Sequence, residues 1–425
     1  MRRVMAALAP GMLIAATGVG AGDLAVASLT GSRLGNGVLW AVLAGAALKY
    51  TLNEGLTRWQ LATGETLLEG AMRRLGRPVA WIFMPYLVAW SFFVGSALIS
   101  ACGVCLGALV PVFDDPDDAR LVFGVAQSAI GLALVWGSGF ALFERVMGVC
   151  IATMFVSVIV TAAVIWPGWG PVAHGLFVPG IPDGGGSEIA WTVALVGGVG
   201  GTVTIMSYGY WIREKGRNGL SWLRVCRIDM AAAYVMTAAF GIAMVIIGST
   251  LTIEGSGVGL IVKLADRLEE SLGPAGRWLF LLGAWGAVFT SLLGVWQAVP
   301  YLFADLVDLI RRSRGGDAVR AGDVAAAGGA AAPVRTVDTR GRPYRAYLLA
   351  ISTVPILGLV VSFKDIQKYY AVVGAGFMPV LALALLVLCG RRAWVGSART
   401  RLLGTAALLA TLAFFAWAGI KGWAE

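Results

Sequence analysis

The chain has 425 residues, of which 58% are hydrophobic and only 13% charged, with 58 glycines, one histidine and a net charge of +9. Soluble domains carry about 25% charged residues, so a mean hydropathy of +0.79 excludes an ordinary soluble globular fold and places the excess apolar surface against lipid. The lone histidine argues against a His-rich zinc or iron catalytic site, and five cysteines, mostly inside apolar runs, argue against a disulfide framework.

A membrane span needs about 20 mostly apolar residues. Taken in chain order, eleven segments meet this: 6–31, 38–61, 79–109, 121–139, 144–166, 189–211, 228–252, 276–306, 345–362, 366–389 and 402–422. No removable leader is expected, because Met1 to Arg3 runs into the first apolar segment without a cleavage signal. The first span holds Gly18-Val19-Gly20-Ala21-Gly22-Asp23. Glycine costs a helix interior about 1 kcal/mol relative to alanine, so the helix is expected to unwind there. The spacing resembles a dinucleotide loop, but it follows no strand and lies at membrane depth.

The second span carries Lys49, Asn53, Glu54 and Arg58. Ionisable residues at this depth are functional candidates. Lys49 with Asn53, and Glu54 with Arg58, are four residues apart and can face each other along a helix. They make either a self-neutralising structural network or a proton or cation relay. In the third span Cys102 and Cys105 have CxxC spacing, yet no nearby cation lowers a thiol pKa, and they read as small residues for helix packing.

The fourth and fifth spans are followed by the stretch from Pro167 to Glu188, which has no lysine or arginine and contains the single histidine, His174. His174 is expected to be a loop residue. The sixth span contains Gly197-Gly198-Val199-Gly200-Gly201, followed by Thr202 to Tyr210. Unwound backbone is tolerated in a bilayer only where it is buried or lines a cavity, and interrupted segments in corresponding positions of two halves point to a transporter's binding site. Between the eighth and ninth spans, residues 311–342 are arginine, alanine and glycine, a composition that reads as a flexible cytoplasmic loop.

Lysine and arginine collect at the N-terminus, in the segments around Arg73, Arg213 to Arg227 and Arg311 to Arg345, and between Arg391 and Arg401. The positive-inside rule then gives a cytoplasmic N-terminus and an external C-terminus in the plasma (inner) membrane. The +9 charge is topological, and nucleic acid is not an expected partner. Five spans (1–170), five more (189–390) and an additional C-terminal helix (402–422) divide the chain. An odd number of spans per block inverts the second against the first, as in inverted-repeat transporters. The expected architecture is all-α, with eleven transmembrane helices, a 5+5 inverted repeat and broken helices 1 and 6. Neither a Ser/His/Asp set nor a cofactor motif is present, so no enzyme and no cofactor are expected.

Several features together resemble the Nramp family of divalent metal transporters. They are Pro10-Gly11, the glycine-broken first helix, Arg58 to Gly64 closing the second span, Glu65 and Leu67 to Glu69 beyond it, Arg227-Ile228-Asp229 entering the seventh, and Pro379 midway through the tenth. The resemblance implies the leucine-transporter fold and proton-linked import of divalent metal ions such as Mn²⁺ and Fe²⁺. The family's first-span Asp-Pro-Gly-Asn corresponds to Gly20-Ala21-Gly22-Asp23, and its sixth-span Met-Pro-His to Met206-Ser207-Tyr208. Its tenth-span glutamine corresponds to Phe377. Carried over, these positions give Gly20, Gly22, Asp23, Met206, Ser207, Tyr208 and Phe377 as the substrate site, with Asp23 and Met206 as metal ligands.

The residue types leave alternatives open. Asp23 suits an N-cap of the resumed half-helix as well as a contact to substrate or ion. Met206 suits gap-filling in a core, and the Tyr208 hydroxyl suits a neighbouring helix. One carboxylate, a thioether and freed carbonyls near Thr17 to Gly20 and Thr202 to Ile205 suit a metal weakly. Tyr208, Tyr210, Trp211 and Phe377 suit an organic amine or amino acid equally.

Overall fold

A computed structural model describes residues 10–423 apart from 12, 14, 16, 21, 138–139, 183–184, 252–258 and 315–336. Most of the expected flexible loop, 311–342, lies outside the described residues. The described chain is all-helical. Eight helices in it are long and apolar enough to cross a bilayer, and a bent pair, Gly148–Val164 with Trp169–Phe177, makes up to nine. The eight fall on the third, fourth and sixth to eleventh expected spans.

The second expected span is the 25-residue helix Leu39–Thr63. It is absent from the eight because Lys49, Glu54 and Arg58 dilute its hydropathy. The first is described in part, with residues 10, 11, 13, 15, 17 and 18 helical, a bend at Val19 and Gly20, a π-helical turn Gly22–Val26 and the helix Ala27–Leu34. His174 lies in the short helix Trp169–Phe177 rather than in an irregular loop. The helix Leu260–Leu272 was not expected at all. Its alternation of Leu260, Ile261, Leu264 and Leu268 with charged residues gives a one-sided apolar stripe, too polar overall to register as a span.

The spans sort into two packed groups. Spans 1, 2, 6 and 7 pack on one another, as do spans 3, 4, 8 and 9, and span 10 touches both through spans 6 and 3. Apolar side chains on the outer surfaces remain open, Trp81, Ile82, Val235, Leu402 and Leu403 among them, as lipid-facing positions require. The polar residues Asp23, Lys49 and Asn53 are instead completely buried between the helices.

Candidate functional site at the two helix breaks

The sixth span is interrupted between the helix Gly186–Gly198 and the helix Ser207–Glu214. Gly200 and Gly201 have φ of 76° and 78°, left-handed values that cost an L-residue with a side chain about 1–2 kcal/mol. A 3₁₀ turn, Val203–Met206, then starts the second half. The first span passes directly over this break: a Cβ on Gly18 would lie 2.7 Å from the Gly200 carbonyl carbon. On its other side, a Cβ on Gly20 would collide with the Ser291 side chain of the eighth span. Small residues thus let three backbones meet.

Asp23 sits at this crossing. Its Oδ2 accepts the Gly200 N–H at 3.1 Å, so the carboxylate caps the break of the sixth span rather than its own half-helix, whose N-cap carries no side-chain bond. Oδ1 has no hydrogen-bond partner among the described residues and points toward Gly241 of the seventh span, where a Cβ would lie 3.6 Å away. A buried carboxylate oxygen left unsatisfied is costly, which marks this atom as reserved for something else.

Lys49 completes the crossing from the second span. Its ammonium donates to the carbonyl oxygen of Gly197 at 2.6 Å and to that of Val199, the acceptors exposed where the half-helix Gly186–Gly198 ends. A helix C-terminus carries about half a negative charge, and a lysine there satisfies both hydrogen bonding and charge. Asp23 is its electrostatic counterpart. Lys49 therefore does not pair along its own helix with Asn53, which instead donates to the Tyr234 hydroxyl at 3.3 Å. Glu54 does meet Arg58, at 3.3 Å, and also Arg227 of the seventh span at 2.6 Å.

The remaining expected site residues separate. Gly20 and Gly22 stand at the crossing with Asp23. The freed Thr17 carbonyl accepts from Ser291 Oγ at 2.6 Å, which leaves it no longer open. Met206 is buried in the apolar core. Ser207, whose Oγ has no partner among the described residues, lines a small cleft with Tyr210, Trp211, Glu214, Gln297 and Tyr301. Phe377 is packed away against the third span, stacked on Tyr86 with ring centroids 5.9 Å apart.

Tyr208 belongs to a separate network. Its hydroxyl donates to Asp229 Oδ2 at 3.0 Å, while Arg217 pairs with the same oxygen at 3.1 Å and the Gly11 N–H donates to Oδ1 at 3.0 Å. Asp229 thus fastens the first span and the second half of the sixth to the start of the seventh. Sequence reasoning noted Asp229 only within its motif and missed Arg217, Ser291 and the reach of Lys49. A lysine at membrane depth must find acceptors, and the carbonyls of a glycine-broken helix were the available ones.

Among the described residues no group of three or more His, Cys, Asp or Glu side chains converges as a metal site. A cation at the crossing would find one carboxylate, Asp23, beside backbone carbonyls of the broken sixth span.

The chain matches the family described as natural resistance-associated macrophage protein-like over residues 11–424. It is 27% identical over 176 residues to the divalent metal cation transporter MntH of Chromohalobacter salexigens, a match that covers 41% of this chain and 40% of that protein. It is 24% identical over 301 residues to an uncharacterised protein of Pasteurella multocida, covering 68% of each. Its structure superposes on that of a manganese transporter from Eremococcus coleocola with a TM-score of 0.69 at 15% identity, over 98% of this chain and 86% of the other. It superposes on MhsT in complex with L-phenylalanine with a TM-score of 0.63 at 14% identity, over 98% of both chains. A shared fold with both kinds of protein, and a family match over nearly the whole length, place the chain in the Nramp family of membrane transporters.

Proposed function

We propose that this protein is a secondary transporter that works by alternating access, and that its cargo is a divalent metal ion of the Mn²⁺ or Fe²⁺ type, bound where spans 1 and 6 break. The carrying observation is the Asp23 carboxylate, buried at the crossing with one oxygen bonded to Gly200 N–H and the other without a partner among the described residues. Met206 and Ser207 follow the break in the sixth span, and in this reading they turn toward Asp23 as the site forms, bringing a sulfur suited to soft first-row ions and a hydroxyl that has no partner among the described residues. Two proteins that the chain resembles, a divalent metal cation transporter and a manganese transporter, favour the same cargo.

In this reading eleven spans cross the plasma membrane, the N-terminus lies in the cytoplasm, and spans 1–5 and 6–10 form inverted halves. The breaks let half-helices pivot while the other halves stay packed. Proton coupling belongs to the same proposal. Purified protein in liposomes loaded with a metal-sensitive dye is expected to admit Mn²⁺, and Asp23→Asn to cut the initial rate at least tenfold. Uptake no faster than in protein-free liposomes would overturn the metal reading.

A second reading, a small organic solute, is favoured by Lys49. Its ammonium already occupies the carbonyls that a cation would seek, and an amino acid or amine needs fewer charged ligands. A thermal shift produced by one amino acid or amine, lost in Asp23→Asn, together with no response to Mn²⁺, decides for it.

A further inference from the structure

Buried ammonium groups are expensive unless fully engaged, and Lys49 is engaged where carried cations are held in broken-helix transporters, at unwound carbonyls and half-helix C-termini. It lies completely buried, donates to Gly197 and Val199 and faces Asp23 electrostatically. No carboxylate forms a direct ion pair with it among the described residues. The seam therefore contains one acidic side chain, one basic side chain and an Asp23 oxygen that has no hydrogen-bond partner among the described residues.

We infer that Lys49 is a tethered cation that sets the cation affinity of this seam: its ammonium fills the acceptor end of the broken sixth span, and a carried cation binds weakly for as long as it stays there. The inference rests on the seam being the transport site. With Lys49 in place, a divalent ion raises the buried charge from zero to two. Without it, Asp23 offsets half of the incoming charge, and the carbonyls of Gly197 and Val199 become free to face the ion. Lys49 is thus a specificity-determining residue that no motif of the first or sixth span contains.

The charge and the hydrogen bonds of Lys49 are separable by substitution. Lys49→Gln keeps N–H donors for the two carbonyls and removes the charge, Lys49→Met removes both, and Lys49→Arg keeps both. Mn²⁺ titration of the full-length purified protein, read by calorimetry and by thermal shift, is expected to give at least tenfold tighter binding in Lys49→Gln than in the wild type. Lys49→Arg should remain as weak as the wild type, and Asp23→Asn should abolish the gain in the Lys49→Gln background. Should Lys49→Met fail to fold, the glutamine variant carries the test alone.

Lys49→Gln with wild-type or weaker Mn²⁺ affinity overturns the inference, as does a lowered Tm that Mn²⁺ does not restore, the outcome of a purely structural lysine. Wild-type Mn²⁺ uptake in liposomes without any gain in Lys49→Gln leaves the metal reading standing and removes the inference. A gain in Lys49→Gln with no wild-type uptake does the reverse.

Discussion

Asp229 is held by the Gly11 N–H, the Tyr208 hydroxyl and the Arg217 guanidinium, three groups from the first span, the second half of the sixth and the turn after it that converge on one buried carboxylate. Removing one partner of a buried ion pair costs about 3–5 kcal/mol, because the other charge stays behind. Arg217→Ala is therefore expected to lower the thermal midpoint in detergent strongly. Tyr208→Phe, which deletes one neutral donor to a charged acceptor, should cost about 1.5–3 kcal/mol. Equal midpoints for Arg217→Ala and the wild type would mean that the pair is not formed in solution. At this scale the sequence was only half legible. A buried Asp23 and a buried Lys49 are predictable from their depth, but their partners Gly200, Gly197 and Val199 lie some 150 or more residues away. Neighbours along one helix were the only contacts that spacing could offer Lys49, and the ladder Lys49 to Asn53 proposed from it is replaced by tertiary bonds.

Breaks in the helices were legible because glycine runs are poor helix anywhere, whereas what each break touches depends on packing. Gly200 and Gly201 take left-handed backbone, and Gly200→Ala is expected to destabilise by about 1–2 kcal/mol, measurable as a shift in chemical denaturation midpoint. Gly20 has an ordinary backbone role but no room: a side chain there meets Ser291 of the eighth span. Uptake should fall in Gly20→Ala and recover in part in Gly20→Ala combined with Ser291→Gly. An active single variant would show that the first and eighth spans are not tightly apposed during transport. The helix Leu260–Leu272 escaped notice for a different reason. Hydropathy windows find spans, and a 13-residue amphipathic helix with several charged residues averages out in them.

Across the whole molecule, the group of spans 1, 2, 6 and 7 is linked to the group of spans 3, 4, 8 and 9 by polar ties near the second half of span 6. Tyr210 donates to Asp305 at 2.7 Å, Tyr301 donates to Glu214 at 2.8 Å, and Trp211 donates to Gln297 at 3.2 Å. If the two groups rock against each other, these ties must break in each cycle. Tyr210→Phe combined with Tyr301→Phe is then expected to speed alkylation of a cysteine placed at Ser207, beside the cleft that the ties border. An unchanged labelling rate would place the moving boundary elsewhere. Eight of the expected spans were readable from hydropathy, since length and apolarity decide membrane insertion. The grouping was not, because every span looks alike from outside until its buried face has a partner.

The second span, finally, poses a question of biosynthesis. Helix Leu39–Thr63 holds Lys49, Glu54 and Arg58, and each charge opposes insertion of an isolated helix by about 2.5–3.5 kcal/mol near its centre. Glu54 and Arg58 can neutralise each other at once, but the acceptors of Lys49 and the second partner of Glu54, Arg227, are synthesised roughly 150 or more residues later. A ribosome that has released the second span has not yet made what accommodates it. Stable burial of this helix is therefore expected to wait until the sixth and seventh spans emerge, which would make the polar seam order the assembly of the chain as well as complete its fold.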